Sequence, residues 1–206
     1  MSLRGRFFAA IYDRFTAGAE EAGLRAHRQA LLGGARGRVL EIGAGTGANL
    51  PFYGDAVEAI TCVEPEAPMA RRLAVRAAQQ KRAVEILEAP AERLPLPDAH
   101  VDTVVSTLVL CTVADQALAL AEIRRVLKPG GTLLFMEHVR SEDPTVAVWQ
   151  DRLNGFNRII AYKCNCNRAT VDAIRAAGFT ITTLKKESIP KAPSFVRPLV
   201  VGVAQR

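Results

Sequence analysis

The chain has 206 residues, 49% of them hydrophobic and 23% charged, and carries a net charge of +6. That length and balance suit a single globular domain with a sizeable core and exclude a disordered chain. The basic excess is scattered and lacks the aromatic–basic interleaving that stacks bases, so nucleic acid is not an expected partner.

Residues 3–32 read as a helix, with Phe7, Phe8, Ile11, Phe15 and Leu24 at spacings near three or four. This stripe suits a cap packed on the domain, and, flanked by Arg4, Arg6, Arg14 and Arg25, also a helix lying on a lipid surface. Gly33 and Gly34 end it. The run Val39-Leu40-Glu41-Ile42 is a buried strand, followed by Gly43, Gly45 and Gly47 and then by helix-compatible residues. Alternate glycines let the backbone turn sharply against a ligand. The expected helix aims its positive end at the same spot. Ala59 to Val63 is a second strand ending at Glu64-Pro65, then come a helix from Met69 to Gln80 and a strand from Val84 to Leu87. A loop from Glu88 to Asp98 precedes a strand from Val101 to Ser106. Asp115 is placed as the N-cap of a helix reaching Leu127, which Lys128-Pro129-Gly130-Gly131 stops before a strand from Thr132 to Val139. Five strands alternating with helices imply a parallel, doubly wound sheet. Helices over Val146–Ala161 and Thr170–Ala177, a stop at Gly178 and strands over Ile181–Lys185 and Leu199–Ala204 complete the chain.

The glycine turn is a nucleotide-type site. Gly43, Gly45 and Ala48 satisfy the dinucleotide fingerprint, while Gly47 and the acidic Glu41 also fit the pattern that favours S-adenosylmethionine (SAM). Glu64, at the tip of the second strand about 20 residues on, is placed to accept hydrogen bonds from ribose hydroxyls. Cys62, Cys111, Cys164 and Cys166 have no disulfide framework spacing and are expected as reduced thiols. No apolar run reaches the roughly 18 residues of a membrane span, and the N-terminus lacks the apolar core of a signal peptide.

Five stretches occur together: Glu41-Ile-Gly-Ala-Gly-Thr-Gly, Val63-Glu64-Pro65, Ala91-Glu92-Arg93-Leu-Pro, Asp98 with Val101-Asp102, and Arg125-Val-Leu-Lys-Pro-Gly-Gly. In that order they resemble the class I SAM-dependent methyltransferases over almost the whole chain, and the set decides against a dinucleotide. The resemblance implies an α/β fold: a doubly wound, mostly parallel, seven-stranded Rossmann-like sheet with an N-terminal cap helix. It divides the domain into a cap region (1–34), a SAM-binding core (35–140) and a substrate-side part (141–206). Within the superfamily, Gly45-Thr-Gly-Ala-Asn, Thr107-Leu-Val-Leu-Cys111, Phe135-Met-Glu-His-Val139, Cys164-Asn165 with Arg168, and Val196-Arg-Pro198 look like the methyltransferase-like proteins of animal endoplasmic reticulum, which methylate alkyl thiols. Bacterial phospholipid and quinone methyltransferases are similar, less closely. The membrane-anchoring N-terminal segment of the animal proteins is missing, so a cytoplasmic protein with at most peripheral membrane contact is expected.

Carried over by position, the resemblance implies that SAM is held by Glu41, Gly43, Gly45, Gly47, Asn49, Glu64, Ala91, Glu92, Thr107 and Leu108. Gly43, Gly45 and Gly47 would line its methionine part, Glu64 the ribose, and Ala91 with Glu92 the adenine. Tyr12 resembles a cap tyrosine closing over the cofactor. Methyl transfer to a small acceptor, preferably a thiol, is the expected reaction, with N- or C-methylation of a phospholipid (phosphatidylethanolamine) or quinone as the alternative. A non-catalytic SAM-binding partner protein is the expectation from another class, which the intact glycine turn and Glu64 argue against. His138, at the tip of the fifth strand, is a general base or a structural bridge between loops. Cys111 and Cys164 are expected to line the acceptor pocket. Zinc on His138, Cys164 and Cys166 is conceivable from ligand chemistry, but the C-x-C spacing is poor and no metal is expected.

Overall fold

The computed structural model describes residue 14, residues 16–189 and residues 191–206. Residues 16–19 are helical, Glu20–Leu24 forms a π-helical turn, and α1 follows over Arg25–Leu32. The helix expected through this region is broken at Gly23, whose φ of 153° lies outside helical space. Phe7, Phe8, Ile11, Tyr12 and Phe15 lie outside the described residues.

Seven strands form one sheet: β1 (Gly37–Ile42), β2 (Val57–Val63), β3 (Val84–Leu87), β4 (Val101–Thr107), β5 (Leu127–His138), β6 (Thr180–Ser188) and β7 (Pro198–Gln205). Their order is β3-β2-β1-β4-β5-β7-β6. The first five are parallel, and β7 runs antiparallel to both β5 and β6. The helices are α2 (Ala67–Ala77), α3 (Gln116–Val126), α4 (Pro144–Ile160) and α5 (Thr170–Ala176).

Alternation along the central strands sends neighbouring side chains to opposite faces. Leu40, Ile42, Val104, Leu133 and Phe135 pack with Leu120 and Ile123 of α3 and Ile174 of α5. Val39, Val105, Leu134 and Met136 pack on the other face with Leu31 and Leu32 of α1 and Leu73 of α2. Two apolar layers thus hold the sheet rigid while the loops at its strand ends remain free to carry function.

Two local expectations are corrected. No α-helix follows the glycine turn; the chain makes only i→i−3 bonds (Gly47 N to Ala44 O, Leu50 N to Gly47 O, Phe52 N to Asn49 O) and one 3₁₀ turn over Leu50–Phe52. Pro51 has no N–H to donate to an i−4 carbonyl, so no helix and no macrodipole build up there. Lys128-Pro129-Gly130-Gly131 lies within β5 as an irregularity, since Leu127 already pairs with Val101 before the register shifts. The Asp115 cap forms as expected: its carboxylate accepts from the backbone N–H of Ala117 and Leu118. Among the described residues no helix is long and apolar enough to cross a membrane.

Candidate active site

A cavity of about 740 Å³ lies at the carboxyl ends of β1, β2, β4 and β5, within the ~300–1,000 Å³ range of small-molecule sites. Gly43, Gly45, Glu64, Ala91, Glu92 and Leu108 line it together. So do Cys111, His138 and Cys164. Glu41, Gly47, Asn49 and Thr107 are absent from its wall.

The three glycines have positive φ values of 53°, 57° and 85°, yet they face different neighbours. A Cβ on Gly43 would meet Val109 at 2.6 Å, and one on Gly47 would meet Leu73 at 2.9 Å. A Cβ on Gly45 would meet only the Gly43 carbonyl, at 4.0 Å. Gly45 is therefore the glycine whose missing side chain leaves room in the cavity, whereas the other two make room for packing. The Glu64 carboxylate, 5% exposed, is fixed by the N–H of Gly45 (2.8 Å) and of Glu66 (2.9 Å). Burial raises its pKa, and those two donors oppose the rise. A carboxylate holds about four acceptor sites, so two remain for hydroxyls.

Behind the turn is a buried polar network. Glu41 accepts from Asn49 Nδ2 (2.9 Å) and from the Tyr53 hydroxyl (2.6 Å). Arg28, reaching in from α1, donates to Asn49 Oδ1 (2.9 Å) and Thr107 Oγ1 (3.0 Å) and pairs with Glu20 (2.9 Å). Burial pushes the Glu41 carboxyl up to about 7, against the pull of Tyr53, Asn49 and Arg28. These groups brace the β1 and β4 ends from behind. Arg28 and Tyr53 carried no motif, and nothing in the sequence sets Arg28 apart from the other arginines of the segment before β1.

The opposite wall is built from three separated stretches. His138 Nδ1 lies 3.3 Å from Cys164 Sγ and 3.8 Å from Cys111 Sγ, and the two sulfurs are 3.6 Å apart. Both cysteines are buried. Cys164 is shifted toward thiolate, first by its hydrogen bond with Cys111 and then by His138, while Cys111 is held as the thiol. His138 Nε2 is buried and has no hydrogen-bond partner among the described residues. Cys166 is buried outside this cluster.

The backbone at each of these positions is fastened. Glu137, fully buried in β5, accepts from Ser106 Oγ (2.6 Å) and from the N–H groups of Val109 (3.1 Å) and Cys111 (3.4 Å). Asn165 donates twice to the Cys111 carbonyl, and Arg168 donates to the carbonyls of Leu110 (2.6 Å) and Val113 (2.8 Å). Asn157 Nδ2 donates to the Cys164 carbonyl (2.9 Å). A carboxylate in the apolar run Leu133-Leu-Phe-Met-Glu137 is a readable signal for Glu137, because a buried charge needs partners. Three non-glycine residues with positive φ, Leu108 (61°), Tyr162 (42°) and Lys163 (72°), also line the cavity. Backbone strain of that kind, about 1–3 kcal/mol each, gathers where a site over-determines it.

A family model described as a methyltransferase domain matches residues 40–135. The thiol S-methyltransferase TMT1A of Homo sapiens is 34% identical over 171 residues, covering 81% of this chain and 69% of its own. The phosphatidylethanolamine N-methyltransferase of Cereibacter sphaeroides is 32% identical over 167 residues, covering 79% of this chain and 81% of its own. A crystal structure of a SAM-dependent methyltransferase from Thermotoga maritima shares the fold with a TM-score of 0.74 at 24% identity, covering 97% of each chain. With its seven-stranded sheet, its glycine turn and these relatives, the chain belongs to the class I S-adenosylmethionine-dependent methyltransferases.

Proposed function

We propose that the enzyme methylates a small thiol, with the cofactor on the β1–β3 side of the cavity and the acceptor against Cys111, His138 and Cys164. The observation carrying the acceptor class is the chemistry of that wall. The carboxylates of the cavity lining, Glu64, Glu66 and Glu92, belong to the loops after β2 and β3, and the wall after β4 and β5 carries two sulfurs and an imidazole instead. An amine arrives as an ammonium and needs a base to expose its lone pair. A thiol, with an ordinary pKa near 8.5, is already partly ionised at neutrality. The resemblance to TMT1A supports the same choice.

The residues present fit SAM: Gly45 leaves space a side chain would fill, and Glu64 keeps acceptor capacity at the tip of β2. SAM supplies a methyl on a sulfonium, so that the acceptor's sulfur–carbon bond forms as the sulfonium–carbon bond breaks and S-adenosylhomocysteine leaves. Gly43 and Gly45 bring backbone to the methionine part, Glu64 takes the ribose hydroxyls, and Ala91, Glu92 and Leu108 border the adenine side. Glu41, Asn49 and Thr107, with Gly47, act from behind by holding the turn. His138 Nδ1 is turned to the two cysteine sulfurs, which makes it a positioning residue for that wall rather than a base for the acceptor. Residues 141–206 supply Cys164 and its supports, and with them the acceptor side. The chain thus contributes alignment and exclusion of water.

A matched series tests this: an alkyl thiol, amine and alcohol of one carbon skeleton, assayed with methyl-labelled SAM. The thiol should show the highest kcat/KM by at least about tenfold. Equal or better turnover of the amine overturns the reading.

A further inference from the structure

We infer that Cys111, His138 and Cys164 form a zinc-binding site with its fourth position open to the cavity. The three ligand atoms lie within 4.8 Å of one another. Tetrahedral zinc has metal–sulfur bonds near 2.3 Å and metal–nitrogen bonds of about 2.0–2.1 Å, which sets the sulfurs about 3.8 Å apart and each sulfur about 3.6 Å from the nitrogen. The observed separations are 3.6 Å between the sulfurs and 3.3 and 3.8 Å from sulfur to nitrogen. The two sulfur–nitrogen distances bracket the tetrahedral value, and the sulfur–sulfur distance lies about 0.2 Å below its own.

The chemistry agrees with the geometry. Two thiolates and one imidazole are borderline-soft ligands that suit zinc, and three protein ligands with an open position are the pattern of catalytic rather than structural zinc. Binding releases the two thiol protons, and the resulting site is neutral, so its burial is inexpensive. Coordination through Nδ1 leaves the proton on Nε2. The three ligands come from the loop after β4, the tip of β5 and the segment between α4 and α5. Glu137 and Asn165 fasten the Cys111 backbone, and Asn157 fastens the Cys164 carbonyl. Cys166, the nearer cysteine in sequence to Cys164, is outside the cluster, which is why the C-x-C spacing misdirects a reading from sequence.

What fills the open position rests on the thiol reading: the acceptor binds there as its thiolate, its proton passing to water. The site itself does not depend on that reading. The test uses the full chain, reduced, stripped with a chelator and titrated with Co²⁺ or Zn²⁺ alone. One equivalent should bind, and the cobalt form should show the intense visible bands of a tetrahedral ion with thiolate-to-cobalt charge transfer. Cys111→Ser, Cys164→Ser and His138→Ala should each weaken binding about tenfold or more. Cys166→Ser should leave it unchanged, with SAM calorimetry confirming that each variant is folded. Absence of the charge-transfer bands in the unmodified protein overturns the site, as does a Cys166→Ser loss equal to that of Cys111→Ser. A short alkyl thiol added to the cobalt form should shift the bands. Metal binding with no thiol shift and no thiol methylation overturns the acceptor reading and leaves the site standing. Thiol methylation by a protein that binds no metal does the reverse.

Discussion

On the β1–β3 side of the cavity the shaping atoms include a turn of bare backbone at two glycines. Gly43 and Gly45 turn it, and one carboxylate, Glu64, is tied to that turn by the Gly45 N–H. On the β4–β5 side they are side chains: Cys111, His138 and Cys164 meet from three stretches and depend on Glu137, Asn165 and Arg168 to be held. A backbone cradle binds whatever shares the cofactor's shape. A wall of side chains can be exchanged without disturbing the cradle, so acceptor choice varies where cofactor choice does not. The two sides should therefore respond separately to mutation.

The largest separation is expected for Gly45→Val. A branched Cβ would fill the open space at this turn, and SAM binding should fall below detection by calorimetry. Cys111→Ala, on the far wall, should leave SAM affinity within about 0.5 kcal/mol. If Gly45→Val binds SAM normally in a folded protein, the cradle lies elsewhere.

Next comes the network behind the turn. Glu41 is held near pKa 7 in the folded protein against an ordinary 4.5. Below about pH 4.5 it is protonated in both states and makes no difference. As pH rises toward 7 the unfolded chain loses the proton first, so stability declines across that window by up to about 3 kcal/mol and then levels off. Glu41→Gln, facing the same Asn49, Tyr53 and Arg28, should flatten the decline. Urea unfolding at pH 5 and pH 8 measures it, and coincident pH dependence in the two proteins would show Glu41 ionised throughout.

Glu64→Ala should weaken SAM by about 1.5–3 kcal/mol, the range for hydrogen bonds to a charged group. Glu64→Asp should fall between, since the shorter chain reaches less far. Equal binding by Ala and unmodified protein would mean that the ribose is held by other groups. The smallest effect is Asp115→Ala, which removes the cap of α3 just after the Cys111 loop and should cost about 1 kcal/mol in thermal stability. SAM affinity should not change; a loss of affinity would join the two sides that the comparison separates.

The sheet was legible because Val39–Ile42, Val101–Ser106 and Thr132–Val139 are apolar runs bounded by turn residues, and Gly43, Gly45 and Glu64 sit at fixed offsets from strand ends. What escaped was set by tertiary contact. Pro51 stopped a helix that the residues around it otherwise favour. Gly43 and Gly47 answer to Val109 and Leu73, which no spacing connects to them. Arg28 reaches the Glu41 network only because α1 packs beside β5 and the 3₁₀ turn. The sulfur–imidazole cluster needed the fold to bring position 111 to position 164, and the C-x-C pair suggested the wrong partner.

The most direct test of the thiol assignment is a single competition. Purified protein receives methyl-labelled SAM together with a short alkyl thiol, phosphatidylethanolamine vesicles and a demethylated quinone at equal concentration. The label should appear almost entirely in the methyl thioether. Label carried mainly by the lipid or the quinone would contradict the assignment of a thiol to the wall of Cys111, His138 and Cys164.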